Sequence, residues 1–134
     1  MQSKGTFYPL LDDIAAIAHP RPEPPEEGVT EDYSRRLVEV SEDRRRFMDE
    51  LEAELLADDA DPLLRALARA RARKERAEAE IRALLAYGRE VVRPRPYTLG
   101  ALAEAAGMSF SGVRTAYGDA DISVAVEAAG GGEA

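Results

Sequence analysis

The chain of 134 residues has no cysteine and a single histidine, His19, which precedes Pro20. Thiolate metal centres, disulfides and cysteine nucleophiles are therefore excluded, and little is left for imidazole acid–base work. The acidic pairs Asp12–Asp13 and Asp58–Asp59 are the groups nearest to metal chemistry. However, "DDADPLLRALAR" lacks the turn glycine and terminal glutamate of a calcium loop, and Asp61 is better explained as a helix cap. There is no glycine-rich phosphate loop and no nucleophile–base arrangement. The expectation is no enzyme, no metal and no cofactor. What remains is the chemistry of recognition. Ser109, Phe110, Ser111, Arg114 and Thr115 bring three hydroxyls, a ring and a guanidinium into seven residues.

The stretch that must position them is "TLGALAEAAGMSFSGVRTAY", residues 98–117. Its pattern predicts a helix over Leu99–Ala106, a turn at Gly107–Met108, and a second helix over Ser109–Tyr117. Inward slots fall at Leu102, Ala106, Met108, Val113 and Ala116, and all are apolar. Ala103 fills the slot where two helices cross closely and a side chain larger than a methyl would push them apart. Gly107 stands where the chain leaves the first helix, a position that favours positive φ. Ser109 is placed to cap the second helix. Ser109, Phe110, Ser111, Arg114 and Thr115 take the outward slots.

This order of residues resembles the helix-turn-helix of the lac-repressor family, T-L-x-x-V-A-x-x-A-G-V-S-x-x-T-V-S. It is also similar to the T-I-G-E-L-A-x-x-A-G-V-x-x-x-T-I-R opening of the mercury-resistance-regulator family. The resemblance covers about 20 residues and points to the helix-turn-helix regulator superfamily rather than to either family. In both families the motif lies near the N-terminus, and neither an effector domain nor metal-sensing cysteines accompany it here. The resemblance implies a sequence-specific reader of double-stranded DNA. Ser109, Phe110 and Ser111 would face base edges or phosphates, Arg114 a guanine or phosphate, and Thr115 would flank it. Gly112 departs from the usual threonine, and a helical glycine costs ~1 kcal/mol relative to alanine.

Charge complicates that expectation. The formal net charge is −8, and residues 98–134 carry 1 basic and 5 acidic side chains. Non-specific DNA affinity comes largely from neutralised phosphates, so the cations must be borrowed. Arg93 and Arg95, just before the motif, and the basic run "RALARARARKERAEAEIR" (residues 65–82) are the candidates. The 16 Arg against 2 Lys also fit the codon bias of a GC-rich genome, which needs no function. A second reading follows from the acidic balance: a coiled-coil interaction or adaptor module whose helical corner docks a protein.

The rest of the chain reads as all-α. Residues 1–29 combine a short docking helix (Leu10, Leu11, Ile14, Ile17) with the proline-rich linker "HPRPEPPEEG", in which helix is forbidden. Residues 30–92 form two long helices. The first is capped by Thr30, with Tyr33, Leu37, Val40, Phe47, Leu51 and Leu55 on one face and Arg44 in the intervening slot. The second starts at Asp61–Pro62 and repeats every seven residues: Leu63, Leu67, Ala70, Lys74, Ala77, Ile81, Leu84, Gly88, Val91. Residues 31–62 hold 5 basic and 12 acidic side chains; residues 63–97 hold 10 and 4. Helices of opposite sign joined by a short turn predict an antiparallel hairpin or coiled coil, closed within one chain or between two in a homodimer. Residues 93–129 contain the helix-turn-helix module and one more short helix capped by Asp119, Asp121 or Ser123, and residues 130–134 form a tail. With no apolar run of membrane length and no signal-peptide core, a cytoplasmic protein with no membrane partner is expected.

Overall fold

The computed structural model describes residues 4–130, with side chains described from residue 10 onward apart from Asp58. Residues 131–134, most of the expected tail, lie outside the described residues. The protein is all-α. The elements are α1 (Lys4–Ala18), α2 (Glu31–Asp58), α3 (Pro62–Ala86), a π-helical turn (Tyr87–Val91), α4 (Leu99–Ala106), α5 (Phe110–Ala116) and α6 (Asp119–Gly130). No strand occurs among the described residues. Two compact units, Met1–Arg71 and Ala72–Ala134, divide within α3.

In the first unit α1 packs on α2. Leu11, Ile14, Ala15, Phe47 and Leu51 form the buried cluster, with Leu10, Ala18, Met48, Leu55 and Ala66 around it. The apolar stripe of α1 thus runs 11–14–15–18, the i, i+3, i+4, i+7 face of a helix. Ile17, expected in that stripe, is 79% exposed instead, because it lies on the opposite side from Leu11 and Ala15. The stretch after α1 is extended and pinned to α2 by two hydrogen bonds. Arg44 Nε donates to the His19 carbonyl at 2.8 Å, and the Tyr33 hydroxyl donates to the Pro22 carbonyl at 3.2 Å. The first bond accounts for an arginine in an otherwise apolar row: its guanidinium satisfies the carbonyl of the residue just past the end of α1.

Caps define the helix boundaries. Thr30 Oγ1 accepts from the Tyr33 N–H at 3.1 Å, with Glu31 and Asp32 in the first turn, where the helix dipole favours anions. Asp59 closes α2 in the left-handed region (φ 50°), its N–H returning to the Leu55 carbonyl. Asp61 Oδ1 accepts from the Leu64 N–H at 2.9 Å, and Pro62 opens α3 fully buried. Next to this turn α2 and α3 are joined by ion pairs: Arg65 with Glu54 at 3.6 Å, and Arg69 with Glu54 at 3.3 Å and Glu50 at 3.8 Å. Arg69 also lies 5.5 Å from the centroid of the Phe47 ring, and the His19 ring meets the same ring edge-on at 5.7 Å.

Along α3 most of the heptad row stays in solvent. Leu63, Leu67, Ile81 and Leu84 are exposed, as is every residue from Arg73 to Glu80. Gly88 leaves the row. It is buried in the second unit, where a Cβ would meet Leu102 Cδ2 at 3.3 Å and Tyr97 Cβ at 3.7 Å. The physical reason is the π turn, whose wider ring (Val92 N–H to Tyr87 carbonyl, 3.1 Å) ends the 3.6-residue phase. The chain then doubles back, with Tyr97 N–H donating to the Gly88 carbonyl at 3.0 Å and Arg89 to the Tyr97 carbonyl at 2.8 Å.

Candidate nucleic-acid interface

The second unit is built around Leu85, Ala103 and Val113, with Leu99, Leu102, Ala106, Met108, Ala116 and Tyr117 packed against them. Every slot read as inward in the sequence, Leu102, Ala106, Met108, Val113 and Ala116, belongs to this cluster. Ala103 is buried on α4, which packs on α5. Val113, the central residue of α5, is completely covered. α4 starts at Thr98, whose Oγ1 accepts from the Ala101 N–H at 3.1 Å. It ends at Gly107 with φ 68°, where the Gly107 N–H reaches the Glu104 carbonyl at 3.3 Å and the Met108 N–H reaches Ala103 at 2.9 Å. Only glycine enters that backbone region without steric cost.

α5 is set by the Ser109 cap. Its Oγ accepts from the Gly112 N–H at 2.9 Å, satisfying one of the orphan donors of the first turn. Gly112 fits this cap closely. A Cβ there would lie 3.0 Å from Ser109 Oγ, so a larger residue would require the capping side chain to give by a few tenths of an ångström. The five outward residues Ser109, Phe110, Ser111, Arg114 and Thr115 are all exposed. Their polar groups are not equally available. Ser109 Oγ lies 3.2 Å from Ser111 Oγ as well as capping the helix, and Thr115 Oγ1 donates back to the Ser111 carbonyl at 3.0 Å. The Ser111 hydroxyl and the Arg114 guanidinium are therefore the groups best placed to meet a ligand. Phe110 is 60% exposed, yet its ring edge lies over α4, 3.6 Å from where a Cβ on Gly100 would stand.

Arg93 and Arg95 lie on the exposed segment between the π turn and α4. Arg93 Nη1 donates to the adjacent Val92 carbonyl at 2.9 Å. Both belong to the same compact unit as α5. The 65–82 run does not act as one patch. Arg65 and Arg69 are engaged with α2, Arg82 pairs with Asp121 of α6 at 3.5 Å, and Arg73, Lys74 and Arg76 point to solvent.

Contacts between distant stretches hold α6 in place, and local spacing carries no sign of them. Ala125 of α6 is buried. At the start of that helix Asp121, its third residue, accepts from the Gly118 N–H through Oδ2 at 3.0 Å, reaching back from within the first turn. None of Asp119, Asp121 and Ser123 therefore stands at the expected cap position. The Tyr117 hydroxyl donates to Glu90 Oε2 at 2.8 Å. Burial first, and the Glu90 carboxylate second, raise the Tyr117 phenol above its ordinary value of 10.0. Folding thus favours the neutral phenol. Its stabilisation is complete below pH 10 and is lost as pH rises through the higher folded value. Tyr117→Phe is expected to cost about 0.5 kcal/mol at neutral pH, the low end for a solvent-accessible hydrogen bond, and to flatten the fall of melting temperature above pH 10. A wild-type-like alkaline profile in the variant would contradict this assignment.

Among the described residues no cluster of three or more His, Asp or Glu side chains is disposed to hold a metal ion. No helix among them is long and apolar enough to cross a membrane. Compared with protein-family models, with curated proteins and with solved structures, the chain matches none.

Proposed function

We propose that residues 98–117 are a helix-turn-helix that reads double-stranded DNA, and that the chain acts as a homodimeric transcriptional regulator or similar small DNA-binding factor. The observation that carries this reading is the division of α5 into two faces. Val113 and Ala116 are committed to the core cluster, while Ser109, Phe110, Ser111, Arg114 and Thr115 are exposed together. A helix held rigidly by its back and presenting hydroxyls and a guanidinium from its first two turns is what base-edge recognition in a major groove requires. Arg114 and Ser111 supply the direct contacts in this reading. Arg93 and Arg95 supply the phosphate contacts that α4–α6 lack.

The reading separates two substitutions. Arg114→Ala is expected to weaken binding to the selected site by ~1–3 kcal/mol and to relax preference at one base pair. Arg95→Ala should weaken all sequences alike and flatten the salt dependence by about one phosphate contact. Fluorescence anisotropy with the selected duplex and a scrambled one, at several salt concentrations, distinguishes the two patterns. Equal losses on both duplexes for Arg114→Ala would remove it from base readout.

The competing reading, a corner that docks a protein, is favoured by the −4 charge of residues 98–134 and by exposed Phe110, Val124 and Val126. It predicts no sequence enrichment from genomic fragments at low salt, with Phe110→Ala, rather than Arg114→Ala, abolishing the interaction.

A further inference from the structure

We infer that α3 is a self-complementary surface on which a second copy of this chain lies antiparallel. The heptad phase of α3 puts Leu67, Lys74 and Ile81 at one seam position and Ala70, Ala77 and Leu84 at the other. In an antiparallel pair each residue of the first set faces one of the second. Leu67 then meets Leu84 of the second copy, Ile81 meets Ala70, and the aliphatic stem of Lys74 lies over Ala77. Two of these layers set a long side chain against an alanine that leaves it room, and the third packs leucine on leucine. In a parallel pair the layers would be like with like, opposing Lys74 to Lys74 and stacking Ala on Ala, which leaves gaps and an uncompensated charge.

The flanks give the same answer. Arg71 and Arg73 border the first half of the seam, and Glu78 and Glu80 border the second half. The antiparallel layers that set Lys74 against Ala77 bring Arg73 opposite Glu80 and Arg71 opposite Glu78, each twice by symmetry. Four Arg–Glu pairs thus flank a centre between residues 75 and 76. The face is open to receive them. Arg73 through Glu80 are exposed, and Leu67 and Leu84 are 63% and 58% exposed. Exposed ion pairs add little stability individually. An in-register parallel pair would join only Arg73 to Glu78, twice, against the four Arg–Glu pairs of the antiparallel one, so the flanks favour the direction that the seam layers set. That pattern is what specifies a second copy of this chain here.

One consequence rests on the DNA reading; the pairing itself does not. Ala86, the end of α3, lies 10.5 residues from the two-fold centre, so the two C-terminal ends of α3 stand about 32 Å apart at 1.5 Å per residue. That is close to the ~34 Å between successive major grooves on one face of DNA. The same two-fold serves the duplex and the helix pair.

The test is made on the full chain. Light scattering should show a dimer at about 100 µM. Arg73→Glu and Glu80→Arg should each weaken self-association roughly tenfold or more, while an equimolar mixture of the two restores dimers, since each altered side chain then faces its opposite. Restoration shows that both variants are folded. Direction is read from cysteines in this cysteine-free chain. Ala70→Cys mixed with Ile81→Cys should form an interchain disulfide, and neither variant should do so alone, because like positions lie ~16 Å apart along the axis. A monomer at 100 µM, a mixture that fails to restore, a disulfide in Ala70→Cys alone, or none in the mixture each overturns the proposal. Sequence enrichment by a monomeric chain would sink the pairing and leave the DNA reading standing; a dimer without enrichment would do the reverse.

Discussion

Val113→Asp should unfold α4–α6, at a cost of at least ~4 kcal/mol, by placing an unpaired carboxylate where no water reaches. Val113 has no exposed surface and sits with Leu85 and Ala103 at the centre of the second unit. The two short helices it joins have 8 and 7 residues, too few to persist without tertiary packing. Amide hydrogen exchange is the direct readout: protection at residues 99–126 should collapse while the amides around Leu11 and Leu51 stay protected. DNA binding should disappear with it. Arg114→Ala, which touches only the exposed face, should lose affinity with unchanged circular dichroism. If Val113→Asp melts like the wild type, the packing of this unit is wrong.

The second large effect lies in the other unit. Leu51 is fully buried among Leu11, Ile14 and Phe47, and Leu51→Ala removes most of a side chain from the contact between α1 and α2. A loss of ~2–5 kcal/mol is expected, the upper part of the range applying if the cavity stays open. The first element to go should be α1, a 15-residue helix too short to hold alone in water. Hydrogen exchange should therefore show α1 opening before α2, together with a lower melting temperature. Loss confined to α4–α6 would contradict the core described here. Because Arg44 and Tyr33 tie the residues after α1 to α2, the proline-rich stretch should loosen in the same variant.

How far these sites were legible in the sequence depended on how local their causes are. The turn at Gly107, the caps at Thr30, Ser109 and Asp61, and the inward slots of α4 and α5 each follow from residues within four positions of one another, and the structure has all of them. Ile17 failed because a 15-residue helix offers two overlapping apolar rows, and only packing against Phe47 and Leu51 selects one. Gly88 failed because the seven-residue beat runs on past the point where the π turn breaks the phase, and its cause, Leu102, is fourteen residues away. The Tyr117–Glu90 and Arg82–Asp121 contacts join positions 27 and 39 residues apart, beyond the reach of any periodicity. For the candidate site, the outward set was readable as a set. What the sequence did not disclose is that the Ser109 and Thr115 hydroxyls are spent on the helix itself, which shifts the weight of recognition onto Ser111 and Arg114.

Selection of genomic DNA fragments by the full chain at low salt, followed by competition with unrelated duplex at physiological salt, decides whether α5 reads DNA sequence. The expected result is enrichment of one site whose two halves are related by two-fold symmetry and centred about one helical turn apart, with specific binding at least ~10³ tighter than non-specific and sensitive to Arg114→Ala. Recovery of fragments with no common sequence, or binding that Arg114→Ala leaves unchanged, would contradict the DNA reading.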